Sequence, residues 1–216
     1  MTQPVVVVGA GGMGRCVLDV IDAVNEAQPS PAYEVIGVVD DGDPDPDLLA
    51  ARGVDLLGGV NALEDLPTEV GYLIGIANTA VKRRLDERLS VIGRPSPVLV
   101  HPNVHRGFDV RLGPGSVICS HVSMENHIRV GRHVHVNQNS TVGHDTVLGD
   151  HSTVSPLVAV SGNVVMKDEV FVGTGASIRQ GVQLGRGSTV GMGAAVVRDV
   201  TVGSTVLGVP ARPADA

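Results

Sequence analysis

From Leu112 to Val202 every sixth residue is apolar, running Leu112, Ile118, Met124, Val130, Val136, Val142, Leu148 and onward without a slip. Four places after each lies a small or aliphatic residue, such as Ser116, Val122, Ile128 and Val134. A period of six suits neither the 3.6 of a helix nor a single hairpin, and it marks a repeat architecture. Each hexad can supply one short strand and its corner, so three sides close a triangular coil of 18 residues. Stacked coils then pair one another's backbone N–H and C=O groups, leaving open edges only at the ends. Glycine follows the inward residue at Gly113, Gly131, Gly143, Gly149, Gly173, Gly185, Gly191 and Gly203, which predicts a tight corner there. The narrow interior has no room for rings, consistent with no Trp, 2 Phe and 2 Tyr. A β-solenoid fits this pattern far better than a Val- and Gly-rich sandwich.

The first hundred residues differ in texture, so the 216 residues divide into two domains, 1–95 and 96–216. A net charge of −7 with scattered basic residues lacks the footprint of a nucleic-acid binder. Cys16 and Cys119 form no metal spacing and read as reduced thiols of a cytoplasmic protein. The start resembles no secretory leader, and no apolar run reaches the ~20 residues that span a bilayer.

Pro4 to Val8 reads as a buried parallel strand running into Gly9-Ala10-Gly11-Gly12-Met13-Gly14, after which Val17, Leu18, Ile21 and Val24 recur at helical spacing. Such a strand, glycine turn and helix can present backbone N–H groups to a phosphate. A second strand, Glu34 to Val39, ends in Asp40-Asp41, where a carboxylate could reach a ribose or base. A third, Gly71 to Ile76, leads to Asn78 and a helix carrying Val81, Leu85 and Leu89. The glycine motif alone is a weak signal, and a ligand-free turn is its lesser alternative. A dinucleotide dehydrogenase is disfavoured, because the segment is too short for two mononucleotide halves.

His144 lies two places after the inward Val142, so it should project from a corner, and Asp145 follows it. A neutral imidazole can take the proton of an amine or hydroxyl attacking a thioester, oriented by a nearby carboxylate. Residues 18 apart lie on neighbouring coils, so Asn126 and Gly162 should flank His144, and His127 and Asn163 should flank Asp145. The Gly162 amide would then be placed for an oxyanion. His133 and His151 should also stack, covering the solenoid or lining contacts between copies; no metal site is expected.

The GAGGMG turn, VVDD at Val38 to Asp41, GIAN at Gly75 to Asn78 and His101-Pro102 resemble those of a known family. So do VNQNSTVGHD at Val136 to Asp145, SGNV at Ser161 to Val164, VGTGA at Val172 to Ala176 and GVPA at Gly208 to Ala211. The family is that of bacterial sialic-acid O-acetyltransferases and UDP-4-amino-sugar N-acetyltransferases, and the resemblance spans nearly the whole chain. It implies a small Rossmann-like α/β domain followed by a left-handed parallel β-helix, assembled as a homotrimer. It implies acetyl transfer from acetyl-coenzyme A to a nucleotide-linked amino sugar, with His144 as base and Asp145 as its partner. The nucleotide sugar would be held by Gly9, Ala10, Gly11, Gly12, Met13, Gly14, Asp40, Asp41 and Asn78, with Asn137 helping or serving as a corner residue. Met13 stands where the family often has histidine. Coenzyme A would run past Gly162, Thr174 and Met192, with Thr153 where the family often carries a histidine that contacts it. O-acetylation of a sialic acid or related sugar, and a non-catalytic nucleotide-binding solenoid, are the alternative readings.

Overall fold

The computed structural model describes residues 2–214. Its first part is a parallel sheet in the order β3-β2-β1-β4, formed by β1 (Gln3–Val8), β2 (Tyr33–Val39), β3 (Leu56–Gly58) and β4 (Gly71–Ile74). Helix α1 (Gly12–Glu26) buries Val17, Leu18, Ile21 and Val24, the positions its spacing predicts. Short α2 (Pro46–Ala50) begins at Asp45, whose side chain caps the Asp47 amide. Helix α3 (Thr79–Val91) departs from the expected apolar face: it buries Lys82 and Asp86 along with Leu89, while Val81 and Leu85 are only half-buried. The reason lies in what it meets, a polar edge of the second domain.

That second part is a left-handed parallel β-helix of two-residue strands, running from Leu99–Val100 to Ala195–Val196. Partners lie 18 residues apart in three parallel sheets, as in Thr141 with Ala159, Val147 with Val165 and Thr153 with Phe171. The inward column, from Met124 through Val142, Val160 and Ile178 to Val196, forms one continuous core. Each such side chain contributes roughly 1.5–3 kcal/mol. An antiparallel pair, Thr205–Leu207 with Arg212–Pro213, closes the far end.

The corner geometry corrects one sequence expectation. Left-handed backbone recurs every sixth residue at Asp109, Gly115, His121, His127, His133, Asn139, Asp145, His151, Leu157, Asn163 and Glu169, and then at Gly175, Gly181, Gly187 and Gly193. The glycine after the inward residue sits two places earlier and has another cause. A Cβ at Gly143 would come within 2.5 Å of the Gly162 nitrogen, so glycine there lets adjacent coils approach. The left-handed corner is filled largely by His, Asn and Asp, which tolerate it better than most side chains.

The stacked histidines also find a different setting. His133 and His151 do stack, with ring centroids 6.1 Å apart and 7° between planes. They do not cover the outside of the solenoid or a contact between copies, because α3 packs over them. Asp86 lies 2.8 Å from His151 Nε2, and Arg132 donates to both its oxygens at 2.7 and 3.1 Å. Tyr72 donates to the same carboxylate at 3.0 Å. His133 Nε2 is 2.9 Å from Asp86 Oδ1, in ion-pair range but off the line of a hydrogen bond. Burial works to raise the Asp86 pKa, but the two imidazoles and the guanidinium outweigh it and hold the carboxyl far below its usual range.

Burial pushes the His133 pKa down despite Asp86, and pushes that of fully buried His135 down strongly. Both therefore take up a proton less readily folded than unfolded, so the unfolded chain binds more protons as pH falls through the ordinary imidazole range. Stability should fall from pH 7 toward pH 5, by up to about 1.4 kcal/mol per pH unit for each histidine. The Asp86 contribution is retained over that window, since it is lost only as pH falls through and below the ordinary carboxylate range. Denaturant midpoints at pH 5.5 and 7.5 check this: the acid sample should unfold at lower denaturant, and equal midpoints would contradict it.

Candidate active site

The corner that carries His144 opens onto a cleft of about 350 Å³ lined by Ser123, Glu125, Thr141, His144, Ser161 and Gly162. Left-handed backbone at Asp145 (φ 57°) turns its carboxylate back on its neighbour, placing Oδ2 2.8 Å from His144 Nδ1. An ionised carboxylate accepts only, so Nδ1 carries the proton and the Nε2 lone pair is left for chemistry. Nε2 lies over Gly162: a Cβ added there would be 2.5 Å away. The backbone knits the same coils together, with Asp145 N–H donating to Asn126 O at 3.0 Å and Asn163 N–H to His144 O at 2.7 Å. His127 Nδ1 is 3.9 Å from the other Asp145 oxygen. The ring of His144 is 41% exposed, open to the cleft yet held on one side. The stacking arithmetic of 18 residues thus places the expected neighbours correctly.

Glu125 escaped the sequence reading. Its Oε2 accepts the His144 backbone N–H at 2.8 Å from the coil below. A signal existed, since this column holds Gly107, Gly143 and Ser161 on the adjacent coils and only here an acidic residue.

Two of the expected contact residues are buried. Thr153 is 1% exposed, its hydroxyl donating to Ala77 O and accepting from Lys82 Nζ, both at 2.9 Å. Shut in between the domains, its hydroxyl is engaged as donor and as acceptor within the chain. Lys82 also donates to Ser152 O, and its burial pushes its pKa well down. Asn137 is buried as well, donating to Val154 O at 2.8 Å beside the Cys119 thiol. Its amide is thus tied to the coil it sits on, as a corner asparagine's would be.

Thr174 and Met192 share a prism edge, but not the edge of His144 and Gly162, because 162 and 174 are not a multiple of 18 apart. Met192 is 78% exposed. No cofactor extending along one edge of a single chain can meet Gly162, Thr174 and Met192 together.

In the first domain a cavity of about 200 Å³ is lined by Val8, Gly9, Val39, Asp40, Asp41, Val60, Ile76 and Val81. Gly14 must lack a side chain because a Cβ would strike Gly9 O, whereas a Cβ on Gly11 or Gly12 would meet nothing within 4 Å. Gly11 caps α1 without a side-chain bond, so the helix start is bare. The Ala10 amide is not part of that opening, since it donates to Asp40 Oδ2 at 2.7 Å. Asp40 Oδ1 accepts Gly42 N–H, so both oxygens of Asp40 are engaged, whereas Asp41 accepts Val60 N–H through Oδ1. Met13 packs against the α1 core, and Asn78 caps α3 through Val81 N–H at 3.0 Å.

Residues 4–89 match the family described as the PglD N-terminal domain. The acetyltransferase domain of PglB from Neisseria gonorrhoeae is 30% identical, with a TM-score of 0.87 over 98% of this chain and 100% of that one. The chain belongs to the hexapeptide-repeat sugar acetyltransferases. The same PglB domain in complex with acetyl coenzyme A superposes with a TM-score of 0.88. PerB from Caulobacter crescentus, in complex with CoA and GDP-perosamine, is 28% identical over 97% of this acetyltransferase and 96% of its own chain, with a TM-score of 0.86. A comparison with curated proteins gave no match. Among the described residues, no helix is long and apolar enough to cross a membrane, and no three metal-type side chains cluster.

Proposed function

We propose that this acetyltransferase moves acetyl from acetyl-coenzyme A to the amino group of a nucleotide-linked amino sugar, of the 4-amino-4,6-dideoxy type. The observation that carries the reading is the open His144 Nε2 above Gly162, with Nδ1 fixed by Asp145. That arrangement suits removal of a proton from an amine as its lone pair attacks the thioester carbon. The carbon–nitrogen bond forms, the carbon–sulfur bond breaks, and the coenzyme A thiolate leaves with the electron pair and regains a proton from His144. The Gly162 amide is proposed to face the developing oxyanion. No covalent acyl-enzyme is needed.

Residues 1–95 are proposed to hold the nucleotide through Gly9, Gly11, Gly12, Gly14, Asp40, Asp41 and Asn78, with 96–216 carrying the chemistry. The bare start of α1 favours a diphosphate there. Coenzyme A is proposed to lie between chains, against Gly162 of one and the Thr174 and Met192 edge of the next, which supports a homotrimer. Two unpaired cysteines, Cys16 and Cys119, suit a cytoplasmic protein.

A thiol-release assay tests the function. With acetyl-coenzyme A and a panel including GDP-perosamine and UDP-linked 4-amino-4,6-dideoxy sugars, at least one amino acceptor should release thiol well above background. Release with none of the panel would contradict the reading.

A further inference from the structure

Glu125 shares the cleft with His144, and one oxygen already accounts for its tie to the protein: Oε2 accepts the His144 backbone N–H at 2.8 Å. The residue is exposed and, among the described residues, belongs to no ion pair. A lysine or arginine partner would have neutralised it. Arg129 and Arg111 both pair with Asp109 instead, and exposed Arg106 on the coil below makes no ion pair with Glu125 among the described residues. The Asp145 carboxylate is committed to His144 Nδ1. Oε1 of Glu125 is therefore the uncommitted carboxylate oxygen of the cleft, one coil below the base and on the same edge of the prism.

A primary amine on a sugar arrives in water largely as an ammonium, whereas a hydroxyl arrives neutral. An unpaired carboxylate beside the base attracts the first and gives the second no comparable advantage. Building on the amino-sugar reading, we infer that Glu125 receives the acceptor's ammonium group through Oε1 and so makes the site selective for amines over hydroxyls. One proton of the ammonium then leaves to solvent by way of His144 Nε2. The freed lone pair attacks the thioester carbon, the second proton passes to His144, and from there to the departing thiolate. The overall change is an ammonium and a thioester converted to an amide, a thiol and one released proton.

The tie to His144 means that Glu125 could also act only by holding the main chain, and the two roles separate in one variant. Glu125→Gln keeps an oxygen for the His144 amide but carries no charge. The acceptor that turns over best in the panel is compared with its analogue bearing hydroxyl in place of the amine, measuring KM and kcat for each and KM for acetyl-coenzyme A. For E125Q we expect KM for the amine to rise 10-fold or more, with KM for acetyl-coenzyme A and the thermal midpoint unchanged. The ratio of kcat/KM between amine and hydroxyl should fall by a similar factor. Glu125→Asp, which retains the charge on a shorter arm, should recover part of the amine preference. An E125Q enzyme with wild-type KM for the amine and an unaltered ratio would overturn the inference. So would a loss shared equally by both acceptors, which marks a role in holding the main chain alone. A wild-type enzyme that acetylates no amine would instead remove the underlying functional reading, a result plainly different from either.

Discussion

His144→Ala should reduce kcat by roughly 10²–10⁴-fold, the span that a positioned general base supplies, while leaving the fold and coenzyme A affinity near wild type. The ring is 41% exposed and packs over a glycine, so removing it opens no core cavity. Among the described residues its side chain bonds to Asp145 alone, itself half exposed, and exposed pairs of this kind contribute little to stability. The backbone bonds of residue 144, from its N–H to Glu125 and to its carbonyl from Asn163, survive the substitution. Steady-state rates and a calorimetric titration with coenzyme A check both halves. A variant within a few-fold of the wild-type rate would eliminate His144 as the base.

Asp86→Ala should have the largest effect on stability, destabilising by about 3–5 kcal/mol, as expected when one partner is removed from a buried ionic cluster. Asp86 is 4% exposed and is the common acceptor for Arg132, Tyr72 and His151, with His133 alongside. Without it, a guanidinium and a phenol lose their buried partner while the domain interface still presses on them. Asp86→Asn, which keeps an acceptor oxygen, should lose less. Urea unfolding of the three proteins checks the order, and an alanine variant as stable as wild type would contradict the role given to this cluster.

The repeat made the solenoid legible, because a period of six leaves the chain few other ways to bury its aliphatic residues; it holds in the structure to Val196, after which Val200 turns inward beside Leu184 and Val202, expected inside, is exposed. The same arithmetic placed Gly162 and Asn126 against His144, since an offset of 18 residues is a fixed geometric step. What it could not reveal was how the two domains dock. Thr153, Asn137, His133 and His151 look like ordinary corner residues in the repeat, yet Lys82 and Asp86 on α3 bury or bond several of them. A helix whose inward face carries a lysine and an aspartate gives no hydrophobic signal of which way it turns. The corner itself was misread by two residues, as glycine serves both left-handed backbone and close approach, and sequence does not distinguish them. The separation of Thr174 and Met192 from Gly162 was available from the spacing, because 12 residues is two sides of a triangle.

The most direct test of the proposed chemistry is a crystal structure of this enzyme with coenzyme A and the preferred amino nucleotide sugar bound together. The acceptor nitrogen should lie within hydrogen-bond reach of His144 Nε2, roughly 2.6–3.2 Å, with the coenzyme A sulfur on its far side. A nitrogen bound in another cleft, or an Nε2 turned away and paired with protein, would contradict it.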